Sequence, residues 1–135
     1  MSNYAKRIIS LFAAMLLFLL LTAGCSQPAE ITLDMSADGS QVAMDTGQEL
    51  VVRLESNPTT GYSWAVLGID TAVLRQIGDV EYEPADTGLV GSGGWESCRF
   101  EAVAAGQTTL ELVYRRPWEE DVTPEQTFTL DVIVR

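Results

Sequence analysis

A chain of 135 residues with a formal net charge of −11 and no histidine rules out several function classes at the start. An acidic chain lacks the basic footprint that nucleic-acid binding needs. Without an imidazole there is no Ser-His-Asp or Cys-His catalysis and no His-based metal site.

The first element in chain order is a leader. Lys6 and Arg7 precede a long apolar run from Ile8 to Ala23, which is the charged and then hydrophobic pattern of a secretory signal; its length also allows the plainer readings of an uncleaved membrane anchor or an ordinary secretion signal. The run ends Thr22-Ala23-Gly24-Cys25. These residues resemble a bacterial lipobox, although Thr22 stands where Leu, Val or Ile is usual. That resemblance implies that residues 1–24 are removed, that Cys25 is lipidated, and that the protein is an exported lipoprotein of the cell envelope, anchored in the membrane through its acyl chains. Removal of residues 1–24 leaves 111 residues, six basic against 19 acidic, and a formal charge of −13. That length suits one domain with its own core. A charge of that sign is repelled by anionic head groups, so attachment falls to the lipid. With Cys25 modified, Cys98 has no partner for a disulfide. Residues 25–30 form a short tether, about 20 Å long when fully extended.

Beyond Glu30 the apolar period is two, which predicts strands. Ile31 and Leu33 alternate with Thr32 and Asp34. Asp38-Gly39-Ser40 and Thr46-Gly47 read as turns around a short run from Gln41 to Met44. Leu50, Val52 and Leu54 point one way, with Val51, Arg53 and Glu55 on the other. Tyr62, Trp64 and Val66 share a face. Val73, Leu74 and Ile77 suit a helical turn, after which Val80 and Tyr82 alternate. Cys98, Phe100 and Ala102 share a face of the run from Trp95 to Val103, and Ala105-Gly106 makes a hairpin turn. Leu110, Leu112 and Tyr114 alternate, as do Phe128, Leu130, Val132 and Val134. Many short strands with turns between them define an all-β antiparallel sandwich or barrel.

Three connections differ from plain turns. The first is Asn57-Pro58-Thr59-Thr60-Gly61-Tyr62, where Pro58 and Gly61 set a stiff bend. The second runs from Pro84 to Gly94 and ends Gly91-Ser92-Gly93-Gly94. The third is Arg116-Pro117-Trp118 followed by Glu119, Glu120 and Asp121. Two strand-like runs separate the first from the second, and two more separate the second from the third. If each run reverses direction, an even number returns the chain to the same end, so all three emerge together.

These three stretches, in that order, resemble the N-P-T-T-G-aromatic, G-x-G-G and R-P-Trp motifs of the chagasin-type inhibitors of papain-like cysteine peptidases. The resemblance covers about residues 30 to 135. It implies an immunoglobulin-like antiparallel β-sandwich of about seven or eight strands, occupying residues 31–135. It also implies a reversible, noncatalytic inhibitor that is not an enzyme, has no cofactor or metal, and acts as a monomer. By the same resemblance Asn57, Pro58, Thr59, Thr60, Gly61 and Tyr62 meet the catalytic centre of the peptidase. Gly91, Ser92, Gly93 and Gly94 lie along its substrate groove, and Arg116, Pro117 and Trp118 grip the opposite side.

Each stretch also has a plainer reading. Taken singly, Asn57 to Gly61 is a structural turn, Gly91 to Gly94 a flexible loop, and Arg116 to Trp118 a corner packed on the sandwich. Trp64 reads as core and Tyr62 as part support, part site. Cys98 reads as an inert core thiol, Trp95 as core or rim, and the acids after Trp118 as a solvated cluster. An alternative function for the same loops is an envelope-anchored binding module for a glycan or an extracellular protein.

Overall fold

The computed structural model describes residues 29–135; the leader, Cys25 and the first part of the tether lie outside the described residues. Nine strands form two sheets: β1 (Ile31–Leu33), β2 (Ser40–Met44), β3 (Glu49–Ser56), β4 (Ser63–Gly68), β5 (Leu74–Gln76), β6 (Glu81–Pro84), β7 (Gly94–Ala102), β8 (Gly106–Arg115) and β9 (Gln126–Val134). One sheet has the order β1-β3-β7-β5, with β6 also paired to β7. The other has the order β2-β9-β8-β4. The fold is the expected all-β sandwich.

The strand count exceeds the expected seven or eight because one edge strand is broken. Gln76 pairs with Phe100 and Glu81 with Ser97. Five residues on the edge therefore advance against three on β7, a bulge of two extra residues. Gly78, at φ +66°, turns the chain there. Just before it, the amides of Val73 and Leu74 both donate to the Asp70 carbonyl, at 3.0 and 2.9 Å. The helical turn anticipated around Val73 is thus a single turn that runs straight into β5.

The sheets are mixed rather than purely antiparallel. β1 runs parallel to β3, with Ile31 opposite Leu50, and β2 runs parallel to β9, with Ser40 opposite Leu130. One segment of chain causes both pairings. After β1 it crosses between sheets through a 3-10 turn, Met35–Ala37, capped by the Asp34 side chain accepting from the Ser36 amide at 2.9 Å. Two short strands on different sheets then lie along edges whose direction the longer hairpins have already set.

The period-two faces meet in one core. Leu50, Val52 and Leu54 from β3 and Cys98, Phe100 and Ala102 from β7 pack against Leu110 and Leu112 of β8 and Phe128, Leu130 and Val132 of β9. Each fully buried Leu or Phe contributes about 1.5–3 kcal/mol of transfer free energy. Met44, Trp64 and Val134 close the ends of this layer. All of these residues fall between positions 44 and 134, and Ile31, Leu33, Ala37 and Val42 pack against them from the N-terminal side.

Cys98 is buried, and that burial, together with the charge of nearby Glu96, pushes its thiol pKa up to about 12. The neutral thiol is a poor nucleophile, because the thiolate is the reactive form. Residues 26–135 contain no other cysteine. A thiol reagent such as Ellman's at pH 8 is therefore expected to leave the native domain untouched and to titrate one thiol after unfolding; rapid reaction of the native protein would contradict the burial.

Candidate functional site

The register brings the three unusual connections to one end. Ser56, the last residue of β3, pairs with Gly94, the first of β7. Ser63, the first residue of β4, pairs with Arg115, the last of β8. β9 begins at Gln126, opposite Tyr114. The connections 57–62, 85–93 and 116–125 therefore leave from the same edge of the sandwich, as strand parity predicted.

The first loop is a capped 3-10 turn, Pro58–Thr60. Asn57 is its N-cap and accepts from the Thr59 amide at 3.3 Å and from the Thr59 hydroxyl. Pro58 stands at the first helical position, where its lack of an N–H costs nothing. The Thr60 amide and hydroxyl donate to the Asn57 carbonyl at 3.0 and 2.6 Å. Gly61 ends the turn at φ +82°, a conformation that favours glycine. Both threonine hydroxyls are thus turned back onto Asn57, while Pro58, Thr59 and Thr60 are exposed.

Asn57 also joins this loop to the second. Its Nδ2 donates to the Gly91 carbonyl at 3.0 Å, and its amide donates to the Tyr114 hydroxyl at 2.8 Å. Tyr114 stacks on Tyr62 at 5.3 Å between ring centroids and lies 5.2 Å from Trp64. Trp64 is core, and its indole N–H donates to the Glu55 carbonyl at 2.9 Å. Tyr62 is half-buried and supports the loop from below. The sequence reading missed Tyr114. Its phenol lies at the end of β8, two residues before Arg116, and that spacing is the one signal that could have marked it.

The four residues of the glycine-rich stretch divide between two tasks. Gly91 is open, and a Cβ there would meet nothing within 4 Å. Ser92 accepts from the Thr87 hydroxyl at 2.8 Å and ties the loop to itself. Gly93 is buried against the Ser56 carbonyl, and Gly94 lies so close to the backbone of Glu83 and Pro84 that a side chain would collide with it. These two glycines serve the internal packing of β6, β7 and β3. Leu89 and Val90, just before Gly91, are 73% and 105% exposed. The sequence reading also passed over these two, because an apolar pair inside a long loop has no periodic partner to mark it.

The third loop grips the first. Arg116 donates from Nε to the Thr60 carbonyl at 3.0 Å, places its guanidinium 4.6 Å over the Tyr62 ring, and pairs with Glu119 at 3.2 Å. Arg116 to Glu119 form a turn closed by the Glu119 amide on the Arg116 carbonyl, with Pro117 in the position that favours it. Trp118 then lays the edge of its indole over Gly61, where a Cβ would overlap it, and is still 69% exposed. Glu119 is held by Arg116, while Glu120 and Asp121 are exposed. Trp95 is rim rather than core: it is half-buried and lines a cavity at the loop end with Asn57, Ser92 and Gly94. It lies on the outer face of β7 under the Arg53 guanidinium, at 4.3 Å.

Chemically the loop end offers shape rather than reaction. Asn57, Thr59, Thr60 and Arg116 are bonded within the loop end, and its exposed surface includes Pro58, the two threonines, Leu89, Val90 and Trp118, with the acids Asp86, Glu120 and Asp121 beside them. Among the described residues no group of three or more Cys, Asp and Glu is placed to hold a metal ion.

A β-sandwich that gathers three stiff, mutually bonded loops at one end is a binding scaffold of the blocking kind. The chain belongs to the chagasin family of peptidase inhibitors, whose family pattern matches residues 43–132. Amoebiasin-2 of Entamoeba histolytica is 34% identical over 85 residues, which span 62% of this chain and 68% of that protein. Chagasin of Trypanosoma cruzi is 32% identical over 96 residues, spanning 69% and 87% of the two chains. The crystal structure of a cysteine protease inhibitor from Entamoeba histolytica superposes with a TM-score of 0.67 over 78% of this chain and 95% of that one; at 22% identity it speaks to the fold alone.

Proposed function

We infer that the protein is a reversible, noncatalytic inhibitor of papain-like cysteine peptidases, and that it occupies the active-site cleft with the three loops. The observation that carries this reading is the mutual bracing of the loops: Asn57 bonds the first to the second, and Arg116 bonds the third to the first. The tip at Thr59 to Gly61 is bent and bonded to itself, so it cannot extend into the strand-like form that presents a scissile carbonyl. Bracing before contact also removes ordering cost from binding, about 0.5–1.5 kcal/mol for each side chain already fixed. Pro58, Thr59 and Thr60 enter at the catalytic centre, the Gly91 side lies along the groove, and Trp118 flanks the opposite wall. Trp is enriched at interface hot spots. The inhibitor works as a monomer and without a cofactor. Titration of papain with residues 26–135 is expected to abolish hydrolysis of a small fluorogenic substrate, and full activity at micromolar inhibitor would refute the reading.

The same protein is held at the cell envelope by lipid on Cys25. The apolar run from Ile8 to Ala23 and the Thr22-Ala23-Gly24-Cys25 sequence support this. Domain topology suits it as well. β1 starts beside Leu50, at the end of the sandwich opposite the loops, and the Ala29 carbonyl accepts there from Gln48 at 3.2 Å. A tether leaving from that end directs the three loops away from the membrane. Expressed in a bacterium fed labelled palmitate, the full chain is expected to take up the label and the Cys25→Ser variant none; an unlabelled full chain would exclude the anchor.

A further inference from the structure

One interior group takes no part in the contacts among the three loops. The inner face of β7 carries Cys98, Phe100 and Ala102, and the same alternation puts Glu96 inside the sandwich, 4% exposed. It has no Lys or Arg within ion-pair distance among the described residues. A carboxylate without a cation is a costly occupant for a β-sandwich interior. Both hydrogen bonds it accepts come from the facing sheet: the Trp64 amide at 2.8 Å and the Ser63 hydroxyl at 3.2 Å. Ser63 and Trp64 open β4, which among the described residues is the outermost strand of its sheet, with β8 on one side and no strand on the other. Gly61, where the wedge bends, lies two residues earlier.

We propose that Glu96 is a positioning residue for the first loop: it clamps the start of β4 across the sandwich and so fixes the angle at which Thr59 to Gly61 project. Two other bonds hold the base of the loop, from the Asn57 amide to Tyr114 and from the Trp64 indole to Glu55. Both involve aromatic side chains on the second sheet. Glu96 is the anchor supplied by β7, whose first residues also end the second loop. The clamp therefore couples the projection of the first loop to the strand that carries the second. A purely stabilising role would show as a lower melting temperature with dissociation unchanged, whereas a positioning role moves both, because the Trp64 amide loses its acceptor at the base of the loop.

This contrast supplies the test, which rests on the inhibitor reading for its kinetic arm. In the full chain in mild nonionic detergent, Glu96→Leu is expected to melt lower than the parent, because the buried Trp64 amide loses its partner, to lose hydrogen-exchange protection at that amide, and to dissociate from papain about ten-fold faster, the scale of one lost bond to a charged acceptor. Association should change by less than about three-fold, as is usual among variants of one interface. Glu96→Gln keeps an accepting oxygen and is expected to restore most of the slow dissociation. Val132→Ala, a core deletion on β9, is expected to lower the melting temperature and leave dissociation unchanged. Parental dissociation in Glu96→Leu, or acceleration in Val132→Ala equal to it, overturns the proposal. So does a Trp64 amide that, in the parent protein, exchanges as fast as the amide of the fully exposed Val90, a measurement that needs no variant. If the parent fails to inhibit papain, the inhibitor reading falls while the exchange arm still decides the role of Glu96.

Discussion

Gly61→Ala is expected to weaken papain inhibition about 100-fold, a change of roughly 2.7 kcal/mol at 1.36 kcal/mol per decade. Two independent costs combine at this position. The backbone sits at φ +82°, which an L-residue adopts at a cost of about 1 kcal/mol or more. The added Cβ also overlaps the Trp118 indole. Trp118 must swing off the first loop or the turn must open, and either movement changes the wedge and its flank together. The effect belongs mainly to dissociation, while the fold survives, because neither residue lies in the core. Stopped-flow association and dissociation of the variant with papain measure it, and a loss below about five-fold would show that the contact is not part of the bound shape.

Trp118→Ala is expected to cost at least 30-fold, in the range of about 2–4 kcal/mol that large anchoring aromatics show. Its indole is 69% exposed in the free protein, so it has much surface left to bury on a partner. It also braces the first loop in advance. The two variants therefore should not be additive. Once Trp118 is gone, the Gly61 methyl meets no indole and only the backbone strain remains. The double variant is expected to fall short of the summed losses by about 1 kcal/mol or more. Full additivity, measured by the same kinetics, would mean that Gly61 and Trp118 act on the peptidase separately.

The period-two pattern was legible because most strands are long enough to show it. β3, β7, β8 and β9 each run eight residues or more, and their inner faces match the alternation read from the sequence. Strand parity then located the loop end without any contact being known. The parity argument survived the broken edge strand because β5 and β6 run in the same direction along β7. The parallel pairings of β1 and β2 were not legible. A strand of three residues has no period, and its direction follows from a turn that crosses between sheets.

At the site, the motifs marked three stretches that meet at one end of the sandwich but not the bonds made inside them. Arg116 reads as a gripping side chain, yet its Nε is bonded to the Thr60 carbonyl. Gly93 and Gly94 read as adaptable backbone, yet one is buried and the other is in close contact with β6. Glu96 escaped notice for a physical reason. Charged residues rarely face a core unless something bonds them, so the pattern was read from its apolar neighbours, and the two donors lie more than thirty residues away in sequence. Long-range partners of this sort leave no local trace.

The parallel pairing of β1 with β3 also has a mechanical side. If the chain is fixed to a surface through its N-terminus while a captured peptidase is dragged from the far end, the load enters along β1. Its three residues lie in register with Leu50, Val51 and Val52, so tension runs along the strand axis and the rungs are strained as a group instead of being peeled off singly. Beyond β1 the chain crosses to the other sheet and lies along β9 for five more paired residues. Force is thereby shared between both layers of the sandwich before it reaches the loops. Resistance to such pulling is governed by the barrier to unfolding rather than by equilibrium stability, and this route through two sheets spreads the load that such a pull would apply.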